Sequence, residues 1–120
     1  MISQKQRNVR KLQREQLLLK AISEVLLRLQ EKIPDLLKVS ITHVKLSSDS
    51  SYSAIYFFSS YGEAVVKEII EELKLYKNSI RASIASLVDM RRVPEIRFFY
   101  DKQHEKILAI ESLIDCVPKD

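Results

Sequence analysis

The sequence is short of several residue types on which catalytic sites and disulfide-stabilised folds are built. Its 120 residues include one cysteine, one glycine, three prolines and no tryptophan. Because a single cysteine, Cys116, cannot form an internal disulfide, nothing in the sequence indicates an oxidising compartment. One glycine leaves almost no material for flexible linkers or glycine-rich phosphate loops, and the chain contains no P-loop, dinucleotide-binding or Cys-x-x-Cys motif.

Long hydrophobic runs are also missing. No apolar stretch approaches the roughly 20 residues that a membrane-spanning helix needs. The basic N-terminus is followed by an apolar stretch that Glu24, Arg28 and Glu31 interrupt, which is unlike the hydrophobic region of a signal peptide. We therefore expect a cytoplasmic protein without a membrane partner.

Candidate catalytic groups are few. His43 and His104 lie far apart in the sequence, and neither has a neighbour at metal-ligand spacing. Cys116 has no base nearby and is expected to behave as a small apolar residue. An enzyme would require the two histidines to converge on a pocket, for which the sequence offers no reason. We expect no catalytic activity, no metal or cofactor, and no small-molecule substrate.

The composition fits one globular domain. Hydrophobic residues make up 46% of the chain and charged residues 30%, which is typical of a folded protein. The length favours a single domain over residues 1–120. We expect disordered tails at residues 1–8 and 116–120, since chain ends with little to bury are often loose.

Positive charge is concentrated in two zones. The formal net charge is +4. Residues 1–20 contain several cations, among them Arg10 and Arg14, and one carboxylate, Glu15. After an acidic segment at 61–73 comes a second basic zone, which contains Lys74, Lys77, Arg81, Arg91 and Arg92. Segregated cations form a patch that draws polyanions such as nucleic acid. The alternative is a basic face that water solvates without any partner.

Hydrophobic periodicity predicts the element order α-β-β-α-α-β-α, an α+β fold with a three-stranded sheet packed against helices. The predicted helices cover residues 4–31, 62–77, 79–89 and 102–115. The predicted strands, rich in β-branched and aromatic residues, cover residues 39–46, 51–59 and 95–100. The first two should form an antiparallel hairpin. The apolar parity slips within the first strand, which predicts a bulge near Thr42 and His43.

The apolar faces of these elements define an expected core. Seven residues should be largely buried, namely Val66, Ile69, Leu73, Ile84, Leu87, Ile96 and Phe98. The last helix is amphipathic through Ile107, Ile110, Leu113 and Ile114. Tyr52, Tyr56 and Phe58 share one face of the second strand and could form a base-stacking platform. Core packing is the favoured interpretation, because a domain without tryptophan needs its aromatics for buried area.

Several motifs together resemble one protein family. Residues 39–49 alternate Val, Ile and Thr before a Ser-x-Asp corner, and the run Arg91-Arg-Val-Pro-Glu-Ile-Arg-Phe-Phe-Tyr-Asp101 follows later in the chain. The second run is similar to the Arg-x-Val-Pro-Glu-Leu-x-Phe-x-x-Asp pattern of the ribosome-binding factor A family. The resemblance covers roughly residues 7–115, without large insertions between the motifs.

The resemblance implies a fold and a function. The fold would be a KH type II-like domain in which a helix–kink–helix replaces the usual Gly-x-x-Gly loop. The family's Ala-x-Gly at the kink would fall on Tyr76, Lys77 and Asn78, where Asn78 could adopt the positive φ in place of glycine. The implied partner is the small ribosomal subunit and its RNA, near the neck, during late assembly. The implied activity is assistance with 5′-end maturation of that RNA, above all in the cold. A monomer is the default expectation for the oligomeric state.

The kink and the basic zones together suggest which residues contact RNA. A helix that starts at the kink directs free N–H groups and the positive end of its dipole towards phosphate. We hypothesise that Lys77 and Arg81 are the central contacts. The supporting contacts would be Lys74, Asn78, Arg91, Arg92, Arg10 and Arg14.

Two other functions stay open on the sequence. One is a KH-like RNA-binding or RNA-chaperone module that is not dedicated to ribosome assembly. The other is a protein-interaction module in which the basic N-terminal helix docks a partner. Steep salt dependence of binding would indicate phosphate contacts and so favour RNA.

Overall fold

The computed structural model describes residues 4–90 and 92–115. These residues form four α-helices, three strands and two short 3-10 turns in the order predicted. The helices are α1 (Gln4–Lys32), α2 (Val66–Leu75), α3 (Lys77–Leu87) and α4 (Lys102–Asp115). The strands are β1 (Val39–Leu46), β2 (Tyr52–Ser59) and β3 (Glu95–Tyr100). The 3-10 turns span Pro34–Lys38 and Glu63–Val65. The expected tails lie partly outside the described residues and stay a prediction.

The observed boundaries follow local backbone chemistry. α1 ends just before Pro34, which starts the first 3-10 turn because proline cannot donate a helical hydrogen bond. The helix predicted over 62–77 begins later, since Gly62, at φ 77°, is followed by the 3-10 turn that leads into α2. The bounds of β1, β3 and α4 are the predicted ones.

The sheet has the order β1-β2-β3, which leaves β1 and β3 as edge strands. β1 and β2 are antiparallel, and β2 and β3 are parallel. The register of β1 against β2 shifts between Ile41 and His43, which confirms the predicted bulge and leaves Thr42 as the extra residue. The bulge allows Val39, before it, and Val44, after it, both to be buried.

The core lies between one face of the sheet and helices α1, α2 and α3. Leu18, Ile22 and Val25 of α1 meet Phe57 of β2 in one apolar cluster. Five of the seven predicted core residues are buried, namely Ile69, Leu73, Ile84, Ile96 and Phe98.

The prediction is wrong for two residues of the expected core. Val66 is only half-buried, because it starts α2 at the edge of the cluster. Leu87 is 39% exposed. α3 ends at Leu87, and the extended backbone of Val88 turns that next side chain into the core instead.

The apolar face of α4 does not pack into the core. Ile107, Ile110 and Leu113 are all more than half exposed, although they follow the apolar spacing of an amphipathic helix. The side chain of Ile114 lies outside the described part of the chain. α4 is anchored at its start, where the Asp101 backbone N–H donates to the carbonyl of Phe57 (2.7 Å).

The kink between α2 and α3 is one residue, Tyr76, with φ −99° and ψ 6°. Asn78 lies inside the first turn of α3, and among the described residues other than glycine only Ser50 has a positive φ. The prediction that Asn78 adopts a positive φ is therefore wrong. A single residue between the helical and extended regions redirects the chain, so no left-handed residue is required.

Candidate nucleic-acid interface

A hollow of about 330 Å³ opens beside the start of α3, and we call it the kink hollow. Its walls are the first turns of α3, the loop that leads into β3, and the turn between β1 and β2. It brings together four of the eight predicted contact residues, which are Lys77, Asn78, Arg81 and Arg92. The remaining lining residues are Ser50, Ser51, Val93, Pro94 and Glu95.

The Arg81 side chain is hydrogen-bonded to the protein's own backbone. Its guanidinium donates to the backbone carbonyl of Val93 (2.9 Å), and its Nε is buried with no partner among the described residues. A half-buried arginine that holds the loop before β3 against α3 has less freedom to meet a phosphate than an exposed one. Arg81 therefore forms part of the wall of the kink hollow. Its side chain is half-buried, and it contributes its positive charge to the hollow from that position.

Lys77 stands at the mouth of the hollow. Its Nζ lies 3.4 Å from Oε1 of Glu95, and both side chains are partly exposed. Exposed ion pairs are worth about 0–1 kcal/mol, so a phosphate can compete with this carboxylate. No side chain caps the N-terminus of α3, so the positive end of the helix dipole faces the same opening.

Two further cations adjoin this opening. Arg92 is exposed and lines the hollow directly. Arg14 reaches it from α1, because its guanidinium donates to the Ser50 hydroxyl (3.2 Å) and Ser50 is part of the wall. Cations that are distant in sequence, from α1, α3 and the loop before β3, thus meet on one surface.

The other predicted contacts lie elsewhere. Lys74 lines a separate hollow together with Glu63, Glu71 and Lys102, where the carboxylates offset its charge. Arg10 is exposed on α1 and lines neither hollow. Arg91 lies outside the described residues.

The turn between β1 and β2 forms part of the site through Ser50 and Ser51, neither of which is among the contacts predicted from the sequence. Asp49 organises this turn by accepting hydrogen bonds from the Ser51 hydroxyl (2.7 Å) and the Ser47 hydroxyl (2.8 Å). These bonds hold the pKa of Asp49 at about 2, well below its ordinary value. The Ser-x-Asp corner that forms this turn is visible in the sequence. Its position opposite α3 follows only from the fold.

The two histidines come together at Asp101, contrary to expectation. The Thr42 hydroxyl (2.6 Å) and His43 Nδ1 (3.1 Å) lie at Oδ2 of Asp101, and the His104 backbone N–H donates to Oδ1 (3.0 Å). Burial raises the pKa of Asp101, but these hydrogen bonds and the two imidazoles hold it below its ordinary value. His104 contributes its backbone here and packs its ring on Phe58, so the cluster caps α4 and fixes His43.

Residues 4–90 and 92–115 provide neither a metal site of clustered side chains nor a membrane-spanning helix. No group of three or more His, Cys, Asp or Glu side chains in this part of the chain is arranged to hold a metal ion. None of the described helices combines the length and the apolar character that crossing a bilayer demands.

Comparison with known proteins identifies the family. The family model described as Ribosome-binding factor A matches residues 10–114. The chain belongs to the ribosome-binding factor A family. A family member named Ribosome-binding factor A from Prochlorococcus marinus subsp. pastoris is 40% identical over 95 residues, which are 76% of this chain and 72% of that protein.

Solved structures of the family share the fold. The crystal structure of ribosome-binding factor A from Thermus thermophilus superimposes with a TM-score of 0.67 at 27% identity, over 75% of this chain and 93% of that one. A homology model of Thermus thermophilus ribosome-binding factor A, as fitted into the cryo-EM map of a 30S complex, gives a TM-score of 0.57 at 25% identity, over 70% and 87% of the two chains. The fold is KH-like, and α2 and α3 are joined at the Tyr76 kink.

Proposed function

We propose that this protein is a non-catalytic RNA-binding factor that associates with free small ribosomal subunits. On this proposal it assists late maturation of small-subunit ribosomal RNA, including processing of the 5′ end, and acts as a cytoplasmic monomer without a cofactor. The observation that carries the proposal is the kink hollow, in which cations from three separate parts of the chain surround an uncapped helix N-terminus. Such a surface fits the phosphate backbone of RNA.

Two further facts support a ribosomal partner. The Thermus thermophilus relative has been fitted into the map of a 30S complex, and its fold is that of this chain. Exposed small side chains on α3, namely Ala82, Ala85 and Ser86, leave the helix beside the hollow open to close approach by a large partner. A protein that remodels RNA by binding needs charge and shape, which the hollow supplies, and no nucleophile.

The test compares two double variants for binding to isolated small subunits across a salt series. The first, Lys77→Gln with Arg92→Gln, removes two cations of the kink hollow. The control, Lys102→Gln with Lys106→Gln, removes two exposed lysines of α4, a helix that contributes no residue to the lining of the kink hollow. Arg81 is left intact, because its bond to Val93 makes any change there a change in folding.

Loss of two phosphate contacts should weaken binding of the first variant roughly tenfold and lower the slope of log K against log salt by about 1.5. The control should keep the wild-type slope. Identical slopes for the two variants would place the RNA interface outside the kink hollow. Equal affinity of the wild type for small subunits and for bulk transfer RNA would favour the general RNA-binding alternative.

A further inference from the structure

The face of the sheet that points away from the core carries two ordered rows of side chains. The registers of the three strands place His43 of β1, Tyr56 of β2 and Phe99 of β3 opposite one another in one row. Two residues along each strand lies a second row, formed by Lys45, Ala54 and Arg97. The rows are about 6.6 Å apart, since a strand rises about 3.3 Å per residue.

The first row is a continuous stack of rings. His43 and Tyr56 stack with centroids 4.2 Å apart and planes inclined by 12°. Tyr56 and Phe99 follow at 5.7 Å and 31°. Phe99 ends the row on an edge strand and is 42% exposed. One ring of the stack is therefore open to an incoming planar group.

The row is held in place before any ligand arrives. Nδ1 of His43 lies 3.1 Å from the buried carboxylate of Asp101, and the bulge residue Thr42 contacts both side chains. His43 is thus fixed on one side of Tyr56 while Phe99 lies on the other. Rings that keep their positions lose little conformational freedom when a base stacks on them.

The second row adds positive charge beside the rings. Lys45 and Arg97 are exposed and flank Ala54, which is itself buried between its neighbours. The guanidinium of Arg97 lies 4.8 Å above the ring of Tyr52, which keeps it on this face. Within the described residues neither cation forms an ion pair, and the nearest carboxylate along β3, Glu95, is paired with Lys77.

We propose that this face of the sheet is a second RNA site, which takes unpaired nucleotides. A base extends the ring stack at Phe99, and the adjoining phosphate binds Arg97 and Lys45. Aromatic rings beside cations are how proteins hold single strands, because every base has a face to stack and every nucleotide a phosphate. The site rests on the proposed function only in taking RNA as the partner, and it is separate from the kink hollow.

The charge of the face argues against a protein partner. A protein-binding patch of aromatic residues is usually depleted of lysine at its centre, whereas Lys45 and Arg97 stand directly beside the rings. The kink hollow contains no aromatic ring among its lining residues. On this proposal the kink hollow binds the phosphate backbone of RNA, and the outer face of the sheet binds unpaired bases.

The probe is fluorescein-labelled octauridylate, with binding followed by anisotropy. Phe99→Ala removes the open ring, and Phe99→Tyr keeps it. Tyr61→Ala is the matched control, because Tyr61 is an exposed aromatic residue in the loop after β2, away from the two rows. Arg97→Gln tests the cation row without touching the rings.

Phe99→Ala should weaken octauridylate binding roughly tenfold, the scale of one lost base stack. Phe99→Tyr and Tyr61→Ala should bind like the wild type, and Arg97→Gln should lower the salt slope by about 0.7. If Phe99→Ala does not fold, the proposal is tested by two other variants. Phe99→Tyr should bind octauridylate with wild-type affinity, and Arg97→Gln should show the reduced salt slope.

Three results would overturn the inference. These are wild-type affinity in folded Phe99→Ala, an unchanged slope in Arg97→Gln, and no octauridylate binding by the wild type. The outcome is independent of the proposed function. A wild type that binds octauridylate through Phe99 but never binds small subunits would keep the second site and refute the assembly role.

Discussion

At the scale of single residues, the most connected side chain is Asp101. It directly follows the last residue of β3 and caps α4 by accepting a hydrogen bond from the His104 backbone N–H. Its carboxylate also accepts a hydrogen bond from the hydroxyl of Thr42, the bulge residue of β1. The buried side chain of Asp101 thus joins three elements. The Asp101 carboxylate is buried and hydrogen-bonded, so its negative charge stabilises the folded protein. Measuring the free energy of unfolding at several pH values tests this contribution.

Asp101→Asn should lower the free energy of unfolding at pH 7 by about 1.5–3 kcal/mol, because charge-assisted hydrogen bonds are lost. The folded-state pKa of Asp101 is below its ordinary value. Its stabilisation is therefore full above the unfolded pKa of about 3.9 and is lost as the pH falls through the folded pKa. Urea denaturation at several pH values should show the difference between wild type and variant shrinking in acid. The exposed control Asp89→Asn should stay within about 0.5 kcal/mol throughout.

Arg81 and Arg92 line the same hollow but should differ in what they stabilise. Arg81→Ala leaves the Val93 carbonyl without its donor and should cost about 1–2 kcal/mol in chemical denaturation. Arg92→Ala should change stability by less than about 0.5 kcal/mol, since Arg92 is exposed. The reverse order of effects would mean that Arg81 is a surface contact, as the sequence alone suggested.

At the scale of elements, α2 offers a matched pair of leucines. Leu73 is fully buried in the core, whereas Leu75, two residues on, is 77% exposed. Leu73→Ala should cost on the order of 2–5 kcal/mol through lost burial and the cavity left behind. Leu75→Ala should be nearly neutral. A cost below about 1 kcal/mol at Leu73, measured by urea denaturation, would contradict the observed helix phase.

Sequence patterns predicted the elements well wherever the controlling chemistry is local. The parity slip in β1 located the bulge at Thr42, and Pro34 located the end of α1. The kink was placed within two residues, but its conformation was not predicted, because a bend at Tyr76 is set by how α2 and α3 pack and not by a special residue.

The candidate site was predicted only in part, because its contacts are non-local. The basic zones and the predicted kink indicate Lys77, Asn78, Arg81 and Arg92 as contacts, and these four residues share the kink hollow. Nothing in the sequence could reveal that Arg81 is bound to Val93, or that Lys74 faces the carboxylates of another hollow. The meeting of both histidines at Asp101 likewise depends on pairing between strands that are far apart in the chain.

At the scale of the whole molecule, charge and apolar surface are distributed for binding. Cations gather at the kink hollow and on the outer face of the sheet, while the core occupies the opposite face. The family membership and the kink hollow together lead to one central claim, that the protein acts on free small ribosomal subunits through RNA contacts.

Sedimentation of the tagged protein through a sucrose gradient of cell extract tests this claim most directly. The wild type and the Lys102→Gln, Lys106→Gln control should travel with free small subunits and little with complete ribosomes or polysomes. The Lys77→Gln, Arg92→Gln variant should shift towards the top of the gradient, because weaker phosphate contacts let it dissociate. An even distribution of the wild type along the gradient, or its absence from the small-subunit fractions, would contradict the account.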